Sequence, residues 1–546
     1  MKAIKKHAAI VAALLLAGTT AGSFAGCARS DYEEKVNTAK TQLYVSNYDG
    51  GVGTDWLRDI KARFEADYAE ESFEANKKGV QIMIETHKEK ATSLDPTLKS
   101  AEVFFGEEVP YQELAATDKL LDISDVMEWV LAQENVGISE TFDAALKKID
   151  NKYYGLPHYE TYAGVVYNKL LFQNRALYIS KNGGYTNVKA DFSPGPDGIS
   201  GNEDDGLPAT MEEFLDLCTE MKGQGITPFI LNGLTAKYYA MDLVDGLLGS
   251  YGGGKLLTAM MTGEGEDIEV IDTITADANE TFGYKLTTKT VDITEENANL
   301  LWQTPARFYA LCMLKELTKD KKNFEDKGLA GTSSHTEAQE LFIKSYHTNQ
   351  PIAMLMEGNW WENEATAAFN RLNKGDAFTK KNSQFGWMAL PSKVNAEDDN
   401  NEGVAAFNYF NTYAFVKANI DSNKIGLAKT FLKYCYSEEN LDRFTAQTGI
   451  ARGLTYNISD ESYAGLSEFS KQVWNFHKTG TIVQQISTSD VVMNNRSKFV
   501  QYKWQSKVDN TTYDTPWEPF WAGKTALDYY NGMKITDADW ETLLKD

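Results

Sequence analysis

The chain has 546 residues and is strongly acidic, with 78 acidic residues against 54 basic ones and a formal net charge of −24. Such a charge excludes a protein that binds nucleic acid or anionic lipid headgroups through a basic surface. Apolar residues make up 42% of the chain, and its length is sufficient for two large lobes with hydrophobic cores of their own.

The N-terminus has the layout of a secretory signal. A basic start precedes an apolar stretch over 8–17, which is too short to span a bilayer as a helix. The small residues before Cys27 resemble a bacterial lipobox, and this resemblance implies that Cys27 becomes the lipid-bearing first residue of the mature protein. We therefore expect a signal peptide at 1–26, a polar tether at 27–40, and an exported lipoprotein of the cell membrane that faces the extracellular or periplasmic side.

From residue 41 onward, strand and helix patterns alternate. Apolar runs predict buried strands, and apolar residues at every third or fourth position predict helices. A capping box at Thr210 and Glu213 marks the start of one helix. This alternation predicts an α/β fold with mostly parallel sheets. The predicted strands are 43–47, 80–84, 103–105, 162–167, 226–230, 352–356 and 385–390, and the clearest helices are 56–64, 210–222, 425–436 and 439–447.

Two further patterns suggest no chemistry of their own. The segment 249–255 matches the phosphate-binding pattern G-x-x-x-x-G-K, but Leu256 replaces the Ser or Thr that would hold Mg²⁺. We predict a flexible loop there. Cys218, Cys312 and Cys435 each lie in an apolar helical pattern, which predicts buried, unpaired side chains.

Several short sequence motifs follow one another along the mature sequence, and their order is informative. They are YDGGVG at 48–53, YYGLP at 153–157, YNK at 167–169, PIAM at 351–354, GNW at 358–360, FGW at 385–387, LP at 390–391 and TGIARG at 448–453. This ordered set behind a lipobox resembles the extracellular solute-binding proteins (family 1) of carbohydrate ABC transporters. The resemblance implies an α/β, two-lobe, periplasmic-binding-protein-like (type II) fold, with hinge strands and a cleft that closes on ligand.

The same resemblance implies that the chain crosses between the lobes near 157–161, 390–411 and 452–454. Each lobe is then discontinuous in sequence. The implied segments are 41–157 and 406–453 for the N-lobe, and 158–405 and 454–546 for the C-lobe, the last of these including hinge and cleft elements.

The resemblance also implies a monomeric, non-enzymatic receptor that captures a carbohydrate, in the first place an oligosaccharide, and delivers it to the permease subunits of an ABC transporter. A secreted glycoside hydrolase with Glu107 and Glu108 as acid and base is one alternative. Adjacent residues of an extended chain point in opposite directions, however, and would not straddle one glycosidic bond. Another alternative keeps the fold and changes the ligand to a peptide, a phosphate ester or a polyamine. The many aromatic residues favour a sugar, whereas the acidity leaves a cationic ligand open.

A sugar site combines aromatic platforms with polar groups that donate and accept hydrogen bonds. Ligands of open α/β sheets bind beyond the carboxyl ends of the strands, and most candidates lie there or in the implied crossings. Core packing is the alternative for the tryptophans, an ion pair within one lobe for Arg452, and solvent exposure for the paired loop acids. The candidate ligand-binding residues are Tyr48, Asp49, Glu107, Glu108, His158, Tyr159, Glu160, Asn232, Trp302, Glu357, Trp360, Trp387, Arg452 and Trp517.

A glycine-rich acidic segment spans 193–206. Its residues Asp197, Asp204 and Asp205 offer oxygen ligands for a hard cation such as Ca²⁺. The Glu at position 12 of an EF-hand loop is missing, and an acidic surface loop is the alternative. We expect a structural calcium ion here at most, and no other cofactor.

Overall fold

The computed structural model describes residues 32, 34–372, 378–380, 384–495 and 504–545. The predicted signal peptide and Cys27 lie outside the described residues. Among the described residues, no helix is long and apolar enough to cross a membrane.

The described strands are short except for one long hairpin. They are β1 (Thr41–Tyr48), β2 (Val80–His87), β3 (Val103–Gly106), β4 (Leu156–Pro157), β5 (Ala163–Asn168), β6 (Tyr178–Ile179), β7 (Tyr185–Thr186), β8 (Thr227–Ile230), β9 (Gly265–Ala276), β10 (Tyr284–Ile293), β11 (Ile352–Gly358), β12 (Phe385–Met388), β13 (Ala405–Asn408), β14 (Tyr413–Val416), β15 (Thr481–Gln484), β16 (Ser506–Val508) and β17 (Thr511–Tyr513).

The described helices are distributed along the whole body. They are α1 (Asp55–Asp67), α2 (Tyr111–Ala116), α3 (Ser124–Leu131), α4 (Glu140–Leu146), α5 (Lys169–Arg175), α6 (Met211–Gly223), α7 (Ala236–Thr262), α8 (Pro305–Thr318), α9 (Asp326–Leu329), α10 (His335–Ser345), α11 (Trp361–Glu364), α12 (Thr366–Leu372), α13 (Ile425–Cys435), α14 (Glu438–Thr448), α15 (Asp460–Gly465), α16 (Glu468–Thr479), α17 (Asp490–Asn494), α18 (Trp517–Trp521), α19 (Ala526–Met533) and α20 (Asp537–Leu543). Short 3-10 helices occur at Ala91–Ser93, Pro96–Leu98, Lys189–Asp191, Gly233–Thr235, Glu295–Trp302 and Lys321–Asn323. The strands and helices predicted from periodicity are present, including the capping box at the start of α6.

The N-lobe is built on a five-stranded sheet with the order β2-β1-β3-β14-β4. β1 pairs in parallel with β2 and β3, and β14 runs antiparallel to β3 and β4. The apolar face of α1 is buried through Trp56, Leu57, Ile60 and Phe64, as its spacing predicts. Burial of these large side chains is the main source of stability in this lobe.

The C-lobe is built on a four-stranded sheet with the order β12-β5-β11-β8. Only β11 and β8 are parallel, whereas β5 is antiparallel to both of its neighbours. The prediction of mostly parallel strands is therefore wrong for this sheet. The chain enters β5 directly from the other lobe. In the part of the chain that the structure describes, no crossover helix within the same sheet leads into β5, and so nothing forces β5 to run parallel to its neighbours.

Backbone hydrogen bonds join three chain segments where the chain passes from one sheet to the other. The amide of His158 donates to the carbonyl of Thr412 at 3.0 Å, and the amide of Glu160 donates to the carbonyl of Ala451 at 3.0 Å. The amide of Thr161 donates to Oδ1 of Asn408 at 2.7 Å. These segments form the hinge between the lobes, and the segment boundaries given for the lobes stay a prediction.

The segment 249–255 is helical, and the prediction of a flexible loop there is wrong. It lies within α7, which is kinked at Gly253, where φ is 68°. A Cβ atom on Gly249 would lie 2.5 Å from the carbonyl oxygen of Ala405. The glycine therefore lets α7 approach the backbone of β13 closely, which explains its presence without any phosphate ligand.

The part of the predicted tether that the structure describes lies against the N-lobe. Tyr32 forms an isolated bridge with Glu85 of β2. The side chain of Gln81 donates to the carbonyl of Lys35 at 2.9 Å and accepts from the amide of Asn37 at 2.7 Å. Cys218, Cys312 and Cys435 are buried and unpaired, as predicted.

Candidate ligand-binding cleft

The carboxyl ends of strands from both sheets meet in a cleft between the lobes. Tyr48 ends β1, Glu107 follows β3 directly, and Glu357 is the penultimate residue of β11. Burial raises the pKa of the Tyr48 hydroxyl, and the charges of Glu107 from the N-lobe and Glu364 from the C-lobe add to this effect. The placement agrees with the general position of ligands in open α/β sheets.

The N-lobe contributes a buried carboxylate that is held by two donors. Glu107 is only 4% exposed, and it accepts a hydrogen bond of 2.6 Å from the hydroxyl of Tyr159. Lys90 Nζ lies 3.4 Å from Glu107 and 2.5 Å from Glu108. Burial raises the pKa of Glu107, since desolvation outweighs the charge of Lys90.

The C-lobe contributes a group that we name the cleft cluster: His335, Glu357 and Glu364. Nε2 of His335 lies 2.7 Å from Oε1 of Glu357 and 3.6 Å from Oε2 of Glu364. Burial by itself lowers the pKa of His335. The hydrogen bond to Glu357 and the charges of both carboxylates outweigh this effect and raise that pKa to about 9. Burial and the charge of Glu357 raise the pKa of Glu364 to about 7, and Glu107 adds to this effect from the other lobe.

Trp360 lies between the lobes, at the start of α11. Its ring packs against Phe410 of the hinge with centroids 5.2 Å apart, and Lys90 Nζ lies 4.5 Å from the centre of the Phe410 ring. A Cβ atom on Gly358 would come within 2.1 Å of the Trp360 ring. Glycine at 358 therefore allows the indole to fold back over the end of β11.

A cavity of about 300 Å³ opens between the lobes beside the hinge. It is lined by the turn after β3 and the start of α2, including Tyr111 and Gln112, and by Met261 and Ser487 of the C-lobe. Asn411 of the hinge also lines it, directly after the Phe410 that packs on Trp360. The cavity and the carboxylates thus flank the same crossing segment.

His158 and Arg452, both proposed as ligand residues, lie instead in a buried group that we name the hinge cluster. Arg452 is fully buried, and its guanidinium carbon lies 4.0 Å from the ring centre of Phe444, 4.4 Å from that of Tyr436 and 4.8 Å from that of Trp56. Nη1 of Arg452 lies 2.6 Å from Nδ1 of His158. These contacts favour a packing role for both residues, and ligand contact by either side chain stays a prediction.

The imidazole of His158 is neutral in this environment. A guanidinium only donates hydrogen bonds, and so Nδ1 of His158 is the acceptor from Arg452 and Nε2 carries the proton. Complete burial and the charge of Arg452 lower the pKa of His158 well below its usual value. This histidine therefore serves the packing of the hinge.

The remaining polar candidates differ in their hydrogen-bond partners. The carboxylate of Glu160 lies within hydrogen-bond distance of Nδ1 of His477, 3.0 Å away, beside the hinge. Asp49 accepts a hydrogen bond of 2.6 Å from Thr54 Oγ1, which ties the turn after β1. Asn232 precedes the short 3-10 helix before α7, and its buried Oδ1 has no hydrogen-bond partner. Ligand contact by Asn232 stays a prediction.

Three candidate tryptophans pack in the C-lobe core, which was the alternative interpretation for each. Trp302 packs beside Trp540, with ring centroids 6.2 Å apart. Trp387 packs against Tyr162 at 5.4 Å, and Trp517 packs against Phe324 at 5.5 Å. All three are less than a tenth exposed, as is Trp360 at 8%, and ligand contact by Trp302, Trp387 and Trp517 stays a prediction.

The acidic loop is held largely by its own polar groups. Asn202 Nδ2 donates to Asp197 at 2.6 Å, the amide of Asp197 donates to Asp204 at 3.2 Å, and the amide of Gly201 donates to Asp205 at 2.8 Å. Burial and the charge of Asp197 raise the pKa of Asp204 to about 7. One buried oxygen each of Asp204 and Asp205 has no hydrogen-bond partner, and calcium at this loop stays a prediction.

Sequence reasoning missed several residues of the cleft. Glu364 follows Trp360 by four positions, so the helical spacing that places both on one face was an available signal. His335, Lys90 and Phe410 reach the cleft from distant segments, and no local pattern indicates them. The lining of the cavity shares no residue type that suggests ligand binding.

Comparison with known proteins gives a consistent assignment. The family model for bacterial extracellular solute-binding proteins matches residues 69–461. No curated protein matches the chain by sequence.

Similar solved structures share the fold at low identity. A chitin oligosaccharide binding protein has 14% identity and a TM-score of 0.52, with 93% of this chain and 100% of that chain covered. The solute-binding protein RafE in complex with raffinose has 13% identity and a TM-score of 0.52, covering 91% and 99% of the two chains. The cyclic alpha-maltosyl-1,6-maltose binding protein from Arthrobacter globiformis has 13% identity and a TM-score of 0.52, covering 93% and 100%. Because the family model spans well over half of the sequence, the chain belongs to the bacterial extracellular solute-binding proteins.

Proposed function

We propose that the protein is a lipid-anchored receptor that captures an oligosaccharide outside the cell and delivers it, unchanged, to the permease of an ABC transporter. The observation that carries the proposal is the position of Trp360 between the lobes, where its ring packs on Phe410 of the hinge. The adjoining Asn411 lines a cavity of about 300 Å³ to which both lobes contribute. The similar structures bear the names of proteins that bind chitin oligosaccharide, raffinose and a cyclic maltose derivative, which supports a saccharide as the ligand class.

The chemistry of the cleft suits a sugar. Carboxylates such as Glu107 and Glu357 accept hydrogen bonds from hydroxyl groups, and the hydroxyl of Tyr48 both donates and accepts. An indole face at Trp360 supplies an apolar platform for the C–H face of a pyranose ring. The three hydrogen-bonded crossings provide the hinge about which the lobes close on ligand.

The proposed role is non-enzymatic, monomeric and independent of any cofactor. Lys90 binds both Glu107 and Glu108, with distances of 3.4 and 2.5 Å to its ammonium. Two carboxylates on one lysine lie on the same side of the site, whereas hydrolysis requires an acid and a base on opposite sides of one glycosidic bond. Anchoring through Cys27 belongs to the same proposal, and replacement by Ser should release the protein from the membrane fraction.

Calorimetric titration with a panel of oligosaccharides tests the ligand class. We expect saturable binding of at least one member, and chromatography should recover that sugar intact after incubation. Trp360→Ala should weaken binding about tenfold or more, because stacking on an aromatic ring contributes on the order of 1 kcal/mol and its loss also exposes the neighbouring site. Absence of heat with every sugar would contradict the proposal.

A matched control separates loss of the platform from general damage. Trp129 is 39% exposed on α3, remote from the cleft, so Trp129→Ala should leave sugar affinity unchanged. Equal losses in both variants would show that Trp360 acts through stability rather than through contact.

A further inference from the structure

The cleft cluster brings nitrogen and oxygen donors from three segments to one point. Ligand atoms of His335, Glu357 and Glu364 all lie within 4.8 Å of one another. His335 is the first residue of α10, Glu357 is the penultimate residue of β11 and Glu364 ends α11. We propose that these three side chains form a binding site for a divalent transition-metal ion of the Zn²⁺ class.

The spacing of the donors is close to what such an ion requires. Bonds of about 2.0–2.2 Å to a tetrahedral Zn²⁺ place donor atoms roughly 3.4 Å apart. The observed distances from His335 Nε2 are 2.7 Å to Glu357 and 3.6 Å to Glu364. Adjustments of less than 1 Å at these two contacts would therefore accommodate the ion. His335 and Glu364 are each about one-third exposed, at 33% and 31% of their side-chain areas, which gives the ion access from solvent.

A second observation is the crowding of one ring nitrogen by three polar groups. Besides the two carboxylates, Nε2 of Gln339 lies 3.1 Å from Nε2 of His335. A proton on the imidazole nitrogen satisfies Glu357 but then faces the amide donor of Gln339. Rotation of that amide brings its oxygen to the same place, which supplies a fourth donor of a type that divalent ions accept.

Charge around the cluster also favours a cation. Glu107 acts on Glu364 from the N-lobe, and Glu357 acts on the carboxylate of Asp242. Lys88 also acts on Glu364 with the opposite sign. An imidazole with carboxylates selects ions such as Zn²⁺ over Ca²⁺ and Mg²⁺, which prefer sites made of oxygen alone.

Titration of the metal-free protein with Zn²⁺ tests the proposal. The protein is treated with chelator, dialysed and titrated in a calorimeter, with Ca²⁺ and Mg²⁺ in parallel. We expect one Zn²⁺ per chain and no comparable binding of the other two ions. Co²⁺ in place of Zn²⁺ should give the visible absorption bands of a four-coordinate site.

Variants locate the ion. His335→Ala and Glu357→Gln should each weaken Zn²⁺ binding at least about tenfold, whereas His347→Ala, which alters an exposed histidine outside the cluster, should not. Glu364→Gln provides a milder variant whose fold is secure, because its side chain is partly exposed. Absence of saturable Zn²⁺ binding, or unchanged binding in His335→Ala, would overturn the proposal.

The sugar titration repeated in chelator keeps this result separate from the proposed function. Sugar binding without any affinity for Zn²⁺ would reject the metal site alone, and Zn²⁺ binding without affinity for any sugar would reject the receptor role alone. Binding of glucosamine oligomers at the cluster by a protein that has no affinity for Zn²⁺ would identify the negative charge of the cluster as a site for an ammonium group. This result would also overturn the metal proposal.

Discussion

The hinge cluster and the cleft cluster both contain a histidine, and the two histidines differ in every property that matters for function. His158 is fully buried against Arg452 and the aromatic rings of the N-lobe, and it is neutral. His335 is one-third exposed among carboxylates, and its pKa is raised to about 9. The same side chain therefore packs a hinge in one place and carries charge beside carboxylates in the other, because its neighbours decide which protonation state is favoured.

The largest effect is expected at the hinge, where Arg452→Ala should lower the free energy of unfolding by about 3–5 kcal/mol. The substitution empties the space between three rings and removes the hydrogen bonds to His158. Urea unfolding followed by fluorescence measures the loss. Arg452→Met should recover part of the stability, because it refills the volume without a charge.

The exposed Arg443 provides the matched control, since it pairs with Glu439 on the surface of α14. Arg443→Ala should change the free energy of unfolding by less than about 0.5 kcal/mol. Similar losses in both arginine variants would remove the distinction between a packed hinge and an exposed surface.

The second effect is a dependence of stability on pH that arises from His158. Its pKa is lowered in the folded state, so the unfolded state binds the extra proton as the pH falls below about 6.5. Stability is therefore full above that pH and should decline by up to about 1.4 kcal/mol per pH unit below it, until the folded pKa is reached. Unfolding curves between pH 7 and pH 5 measure the slope.

Comparison of two variants isolates the contribution of His158 to that slope. His158→Gln should flatten it, whereas His347→Gln, at an exposed position, should retain it. A slope that is the same in the parent and in His158→Gln would show that another group causes it.

The cleft histidine should show the opposite sign in a different range of pH. The folded pKa of His335 is raised to about 9, so its pairing with Glu357 stabilises the protein fully below about 6.5 and is lost as the pH rises through 9. Because a third of the side chain is exposed, we expect only about 1 kcal/mol in total. Thermal unfolding in chelator from pH 6 to pH 10 measures this, and His335→Gln should remove the decline.

The last prediction concerns Gly358, where binding should suffer more than folding. Gly358→Ala places a methyl group within 2.1 Å of the Trp360 ring, and the indole must move away from its position over β11. We expect weaker sugar binding with a change in unfolding free energy of about 1 kcal/mol. Gly426→Ala is the control, because that helical position has no atom within 4 Å of an added methyl group. A sugar affinity that survives Gly358→Ala would separate Trp360 from the ligand.

The sequence predicted most strands and helices correctly. It predicted the positions of side chains in the folded protein less well. The strand-end rule selected Tyr48, Glu107 and Glu357, because a residue at the end of a strand lies at the edge of its sheet in any α/β fold. Their contact with ligand stays a prediction. The same reasoning gave no means to separate Trp360 from Trp387, since both follow apolar runs. Only the tertiary structure packs Trp360 on Phe410 of the hinge and Trp387 on Tyr162 of the C-lobe.

Local order was thus determined by the sequence alone: the periodicity of strands and helices, the capping box of α6, and the order of segments that resembles a family. Only the tertiary structure decided that Arg452 stacks in an aromatic cage, that the glycines of α7 lie in a helix, and that His335 meets Glu357 from a distant segment. Periodicity depends on residues that are neighbours in the chain, whereas burial and charge depend on residues that become neighbours only when the lobes have formed.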